Sequence, residues 1–337
     1  MKRTTLKDLS KMLNLSTSTI SRALNDHPDI SIETKNKVRE AANLFKYSTN
    51  LHAKHFRNQN SELIALIVPE INMFYYPKLI QGITEKIENA GYSLFIFLSN
   101  ESFEREKEII QHCQKWAVEG VLISLSKETS TLDHLKVLDE SEIQYVLLDK
   151  ILENDKAQSV VIDNHDASYK AVKFLVENGH QSILGIFGDP NLSITSERIK
   201  GFSKAISDFG ERIIHSTKIA MNSCENLESE LTKHLFSDAR YTAIFTMTDD
   251  HLSHTLFTLN KQGIQVPDDI SIISISDGIY PYLMYPQVCF IKDSGLRMGQ
   301  MAAQTLLNKL DGRSIDDAHR ITLSTELIVL DSVKMIK

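Results

Sequence analysis

Thr5-Leu6-Lys7-Asp8-Leu9-Ser10-Lys11-Met12-Leu13-Asn14-Leu15-Ser16-Thr17-Ser18-Thr19-Ile20-Ser21-Arg22-Ala23-Leu24-Asn25 reads as two short helices joined by a tight turn. Leu6, Leu9 and Leu13 recur at helical spacing on the first helix, and Leu15, Ile20 and Leu24 give the second its apolar face. Asn14 falls at the turn, which wants a residue tolerant of positive φ, and Ser16 then offers a hydroxyl to cap the second helix. The outward face of that helix is Thr17, Ser18, Thr19, Ser21, Arg22 and Asn25, without one carboxylate. Small hydroxyls allow close approach, and the Arg22 fork fits the O6/N7 edge of guanine. Two ordinary surface helices would not leave their polar face free of Asp and Glu. The segment therefore predicts a helix-turn-helix that enters a DNA major groove.

Charge points the same way. Residues 1–60 hold eleven Lys and Arg against five Asp and Glu, a net +6, whereas the whole chain is −7 and the remainder −13. A basic head attracts phosphates and an acidic body is repelled by them.

A chain of 337 residues exceeds what one core organises, so a small head on a body of about two domains is expected. No apolar run reaches the roughly 18 residues of a membrane span, and the N-terminus lacks a signal-peptide core, which predicts a cytoplasmic protein without membrane attachment. Cys113, Cys224 and Cys289 lie far apart without a CxxC pair, which argues against a disulfide framework and a zinc site and suggests buried thiols. The twelve histidines include no HxH or HxxxH pair, so neither metal nor cofactor is expected.

Ser31 is placed to cap a third helix over about Ile32 to Phe45, with Val38, Ala41, Ala42 and Phe45 facing inward. Residues 47–60 are polar with a weak stripe of Leu51, Ala53 and Phe56, the pattern of a linker that orders on binding. From Leu63 onward apolar runs alternate with amphipathic helices. Strands are predicted at 63–68, 93–98, 120–125, 144–148, 182–187, 242–247 and 269–275. Continuous apolar strands between helices mean parallel sheets covered on both faces, here enough for two doubly wound α/β subdomains. Ligands in such folds bind beyond the carboxyl ends of the strands. That places interest on 70–75, Ser99, Ser126, Asp149, Asp163, 188–193, 248–250 and Asp277.

These residues carry a resemblance to the lactose-repressor (LacI/GalR) family of bacterial transcription regulators, over essentially the whole chain. In the head it rests on Leu6-x-Asp8-Leu9, Leu15-Ser16-x-x-Thr19-Ile20-Ser21-Arg22-Ala23-Leu24-Asn25, Val38 to Ala42 and Tyr47-x-x-Asn50. In the body it rests on Asn72-Met73-Phe74-Tyr75, Leu148-Asp149-Lys150, Val161-Ile162-Asp163-Asn164, Gly179-His180, Glu197-Arg198-Ile199-x-Gly201-Phe202, Thr248-Asp249, Val266-Pro267-Asp268-Asp269, Pro286 and Met298-Gly299-x-x-Ala302-Ala303-x-x-Leu306-Leu307. The resemblance implies a three-helix head (1–46), a hinge helix (47–60) and a periplasmic-binding-protein-like body (61–337). The body's subdomains would be about 61–162 plus 292–322, and 163–291 plus 323–337. It further implies a homodimer on a pseudo-palindromic operator, switched by a small effector between the subdomains. By position, Thr17, Ser18 and Arg22 are implied base readers, Thr5, Ser16, Thr19, Ser21 and Asn25 phosphate holders, and Asn50, Ala53 and Phe56 hinge residues. The chain departs from the family at Phe56 for a common leucine, Thr49 for a proline, Lys150 for an arginine, Ser276-Asp277 for paired aspartates and Cys289-Phe290 for paired threonines.

For the effector, Phe74 and Tyr75 would stack on a ring, and Asp149, Arg198, Asp249 and Asp277 would bond hydroxyls or a carboxylate, which suits a sugar or nucleoside. Each has a plainer reading. Phe74 and Tyr75 also fit the first apolar turn of a packed helix. The aspartates also fit strand ends or helix caps, and Arg198 an ion pair with Glu197 or Asp189. No GxGxxG, GxxxxGK[ST] or GxSxG occurs, which argues against an enzyme. A solute-binding protein would suit the body but leave the head unexplained. No heptad tail follows Leu330, which disfavours a coiled-coil tetramer.

Overall fold

The computed structural model describes residues 4–45, 47, 61–71, 75–152, 156–313 and 319–336. The chain divides into two compact units, Met1–Ser61 and Glu62–Lys337. The proposed hinge residues Asn50, Ala53 and Phe56 lie outside the described residues, as does Phe74.

The first unit holds three helices, α1 (Leu6–Leu13), α2 (Thr17–Leu24) and α3 (Ile32–Leu44). Each begins where a side chain can satisfy its free N–H groups. Thr5 and Asp8 form a reciprocal capping box, Ser16 Oγ accepts from Thr19 N at 3.0 Å, and Ser31 Oγ accepts from Thr34 N at 3.3 Å. Asn14 ends α1 at φ 52°, as the turn requires. Leu9, Ile20, Ala23, Val38, Ala41 and Ala42 close a small core. Phe45 is a correction: it sits past the end of α3 and is 40% exposed, because the last helical turn has run beyond the core.

The second unit contains two six-stranded sheets. The first runs in the order β11-β5-β4-β3-β1-β2, where β1 is Leu63–Val68, β2 Ser93–Leu98, β3 Gly120–Ile123, β4 Gln144–Leu148, β5 Ser159–Ile162 and β11 Arg320–Leu323; all its pairs are parallel. The second runs β12-β10-β9-β8-β6-β7, where β6 is Ser182–Phe187, β7 His215–Ala220, β8 Ala243–Thr246, β9 Ser271–Ser276, β10 Cys289–Lys292 and β12 Glu326–Ile328. Only β12 is antiparallel to its neighbour. All seven expected strands are present, with shifted ends at β3, β8 and β9. Of the five others, four have only three or four residues and lack the longer apolar run that made the equally short β3 and β8 legible, and edge strand β7 exposes a polar face.

The chain passes between the sheets three times: from β5 into the helix Asn164–Glu177, from β10 into the helix Gly295–Leu310, and from β11 to β12. Met298, Ala302, Ala303 and Leu306 of the Gly295–Leu310 helix pack with Ile64, Leu66, Leu122 and Val146 of the first sheet. The Asn164–Glu177 helix instead buries Ala167, Ala171, Val172 and Leu175 against Ile183, Phe245 and Ile273 of the second. Each sheet is thus a separately covered layer. The strand ends and crossings converge on the space between the two.

Candidate functional site

The head presents the polar face read from the sequence. Thr17, Ser18, Arg22 and Asn25 are exposed, Thr19 and Ser21 half-buried, and none of the described residues bonds the Arg22 guanidinium. Thr5 and Ser16 are exposed as well, but their hydroxyls are engaged in the caps, Ser16 Oγ lying 2.7 Å from Ser18 Oγ and 2.8 Å from Thr19 Oγ1. Asn25 donates through Nδ2 to the carbonyl of Ser21 at 2.9 Å. The surface is neutral save for one free guanidinium, and its small side chains let a helix lie close to base edges.

In the body a cleft of about 530 Å³ opens between the ends of the two sheets. Tyr75, Asp149, Arg198, Asp249 and Asp277 all line it, joined by Tyr76, Thr195, His251 and Asp293, which the sequence reading missed. Asp293 follows β10, an unread strand, so the carboxyl-end rule could not reach it. Ser99 and Ser126 do not line this cleft; they belong to a buried network around Glu106. That carboxylate accepts from Ser126 N at 2.6 Å, Ser126 Oγ at 2.8 Å and Thr129 Oγ1 at 2.9 Å, and lies 2.8 Å from His134 Nε2. Asp163 is likewise structural, capping the Asn164–Glu177 helix through Asp166 N at 2.9 Å.

Arg198 is held from three directions. Nε donates to Asn164 Oδ1 at 2.8 Å, a terminal nitrogen donates to the carbonyl of Met247, and the other reaches Asp293 Oδ2 at 3.2 Å. The ion-pair partner is therefore Asp293, and neither Glu197, which pairs with Lys200 at 2.6 Å, nor Asp189, which accepts from Asn191. Asn164 and Asp293 stand at two of the three crossings, so the guanidinium ties both together. The group lies 6% exposed yet borders the cleft.

The aspartates combine structural and open valences. Asp149 sits at the end of β4 with φ 61° and accepts from Tyr76 Oη at 3.1 Å. Asp277 Oδ1 accepts from Gly295 N at 2.9 Å at the start of a long helix. Asp249 is the first residue of the helix Asp249–Lys261, whose cap is Thr248. Burial pushes Asp249 and Asp277 up to about 6 and Asp293 up to about 8, the guanidinium being outweighed at Asp293 by burial and the other carboxylates. Burial also raises Asp149. His251, with Nδ1 2.6 Å from Thr248 Oγ1, is pushed down to about 4 and is neutral at pH 7.

Among the described residues, Thr195 Oγ1, Asp249 Oδ1 and Asp293 Oδ1 of the cleft are buried without a hydrogen-bond partner, and Tyr75 Oη has none of normal geometry although it lies near Asp149. Burying such atoms unpaired costs about 1–3 kcal/mol each. Two hydroxyls and two carboxylate oxygens around one cavity would suit a ligand rich in hydroxyl groups once the cleft walls part enough to uncover them.

Comparison with known proteins places both units. Residues 5–50 match the family described as bacterial regulatory proteins, lacI family, and residues 61–318 match periplasmic binding proteins and sugar binding domain of LacI family. The HTH-type transcriptional repressor PurR of Haemophilus influenzae (strain PittEE) is 29% identical over 346 residues, covering 98% of this chain and 99% of the relative. The lac repressor dimer bound to operator and the anti-inducer ONPF has a similar fold, with a TM-score of 0.86 at 19% identity over 99% of this chain and 100% of that one. The transcriptional regulator CelR in its cellobiose complex gives 0.71 at 21% identity, over 98% and 100%.

Proposed function

As this chain belongs to the LacI family of bacterial regulatory proteins and is a DNA-binding transcription regulator with an effector-binding body, we propose that it is a cytoplasmic homodimeric repressor whose operator affinity is set by a carbohydrate-like effector. The functional division is a head over 1–46, a hinge over 47–60 and a body over 61–337, with subdomains of about 61–162 plus 292–322 and 163–291 plus 323–337. Thr17, Ser18 and Arg22 read bases. Thr19, Ser21 and Asn25 hold phosphates, while Thr5 and Ser16 do so through the helix N-termini that they cap. Asn50, Ala53 and Phe56 serve the hinge, and Phe74 joins the effector site. The chain performs no catalysis of its own.

The observation that carries the effector reading is the set of four polar atoms in one cleft, unpartnered among the described residues, beside Arg198 and Asp277. A sugar's hydroxyls both donate and accept, which matches two hydroxyls and two carboxylate oxygens. The body matches a family described by its sugar binding domain, and the similar regulator CelR was solved with cellobiose. For the dimer, the support is exposed apolar surface: Tyr285 is fully exposed, Leu283 72% exposed and Phe257 61% exposed.

The test is operator binding by the full chain and by a chain lacking residues 1–60, each with a panel of neutral sugars and sugar phosphates. Operator binding that requires residues 1–60 and shifts with a neutral sugar is expected. Binding retained without the head would overturn the DNA reading. A response confined to anionic ligands would overturn the effector reading.

A further inference from the structure

We propose that Cys224, Asp250 and His254 form a binding site for a borderline transition-metal ion of the zinc type on one wall of the cleft. Asp250 and His254 are four residues apart on the helix Asp249–Lys261, so their side chains share one face. Cys224 opens a short turn, Cys224–Asn226, that packs against the same helix. One donor atom from each residue lies within 4.8 Å of the other two, and among the described residues this is the one group of three or more such side chains so placed.

Cys224 and Asp250 share a side-chain hydrogen bond, so the thiol and one carboxylate are already in contact, while the imidazole stands apart. Asp250 Oδ1 and His254 Nε2 stand 3.8 Å apart, too far for a hydrogen bond. Donors about 2.0–2.3 Å from a tetrahedral ion lie roughly 3.5 Å from each other, which is close to the spacing already present. Since every pair lies within 4.8 Å, the contraction still needed is on the order of 1 Å at most, within reach of small χ rotations in side chains that are half-exposed or exposed. Cys224 takes part in no disulfide and is half-exposed, where the sequence suggested a buried thiol; burial and Asp250 push the thiol up to about 12, so an ion would bind by displacing its proton.

Donor chemistry selects the ion. A thiolate and an imidazole favour zinc, cobalt, nickel or copper, whereas magnesium and calcium take oxygen donors. Three protein ligands leave the fourth tetrahedral position open. Asp250 and His254 are exposed, so the ion has access from solvent. Cys224 and Asp250 also border the cleft. A bound ion would therefore fasten the turn after β7 to the helix after β8 and stiffen that wall. Neither histidine spacing nor cysteine pairing shows this in the sequence, because the thiol comes from a separate segment 26 residues before Asp250.

The experiment uses the full chain, reduced and stripped of metal by a chelator, titrated with Co²⁺ and then with Zn²⁺. Wild type is expected to bind cobalt with a sulfur-to-cobalt charge-transfer absorption in the near ultraviolet, which zinc then displaces. Cys224→Ser should abolish that absorption. Asp250→Asn and His254→Gln should each weaken zinc binding at least tenfold, the range seen when a metal site loses a supporting group. All three positions are exposed or half-exposed, and circular dichroism checks that each variant folds. Absence of the charge-transfer band in folded wild type would overturn the proposal, as would its persistence in Cys224→Ser. Zinc affinity unchanged in both Asp250→Asn and His254→Gln would reduce the group to a surface polar cluster.

Discussion

Asp249 shows what burial does to one carboxylate in the cleft. Burial first, and then the nearby Asp277 charge, raise it to about 6 from the usual 3.8. Between pH 4 and 6 the folded protein keeps a proton that the unfolded chain releases, so this group's contribution makes stability fall as pH rises through that window and level off above it. Asp249→Asn is expected to stabilise the body by about 2–3 kcal/mol above pH 7 and by nothing near pH 4. Urea unfolding at a series of pH values, followed by fluorescence of Trp116, the chain's only tryptophan, measures this difference. A difference that does not vary with pH would place the raised group elsewhere. In the head, Arg22 is exposed and bonded by none of the described residues, so Arg22→Ala leaves the fold intact. It should cost about 1–3 kcal/mol of operator affinity and relax base preference at one position, if the fork reads guanine. Binding of a randomised operator pool reports both, and an unchanged preferred site would remove Arg22 from the readers.

The elements differ in how plainly the sequence declares them. Helices α1 and α2 were legible because every determinant lies within a few residues: a leucine stripe, an Asn at φ 52°, and capping hydroxyls. Strands β5, β10, β11 and β12 were not, because their three or four residues are not part of a longer apolar run as those of β3 and β8 are, and pairing with a neighbour is what makes them strands. Helix packing was equally hidden. The helices Tyr75–Asn89 and Gly295–Leu310 approach so closely that a Cβ added at Gly82 would lie 2.2 Å from the carbonyl oxygen of Leu296, and one added at Gly299 would lie 2.1 Å from that of Leu79. Backbone blocks both positions, so no rotamer relieves the clash. Gly299→Ala is expected to lower body stability by about 1–3 kcal/mol, the range for overpacking, despite the helix propensity of alanine. An unaltered urea midpoint would show that the helix pair can slide apart without loss.

Across the whole body, Arg198 is the point where sheets, crossings and cleft meet. It ties Asn164 at one crossing to Asp293 at another while bordering the cleft. Arg198→Ala is therefore expected to do two things: destabilise the body by about 1–3 kcal/mol, since Asn164 Oδ1, the Met247 carbonyl and Asp293 Oδ2 lose a shared buried donor, and blunt the effector's control of operator binding. Adding Asp293→Asn should recover part of the stability without restoring the effector response. Unfolding and operator titrations of the single and double variants separate the two effects, and a single variant as stable as wild type would show that other contacts hold the crossings. Much of this molecule was fixed by its sequence alone: the capped helix-turn-helix, the basic head on an acidic body, the alternation of buried strands with helices, and the carboxylates at strand ends. Those features depend on side-chain spacing, local caps and composition, which act over one or two turns of chain. Tertiary structure alone decided that Arg198 pairs with Asp293, that its other partners are Asn164 and Met247, and that Cys224 meets Asp250 and His254. The Arg198 contacts span 95, 34 and 49 residues respectively. No local preference reaches so far, and only the order in which the chain enters and leaves its two sheets brings such groups together.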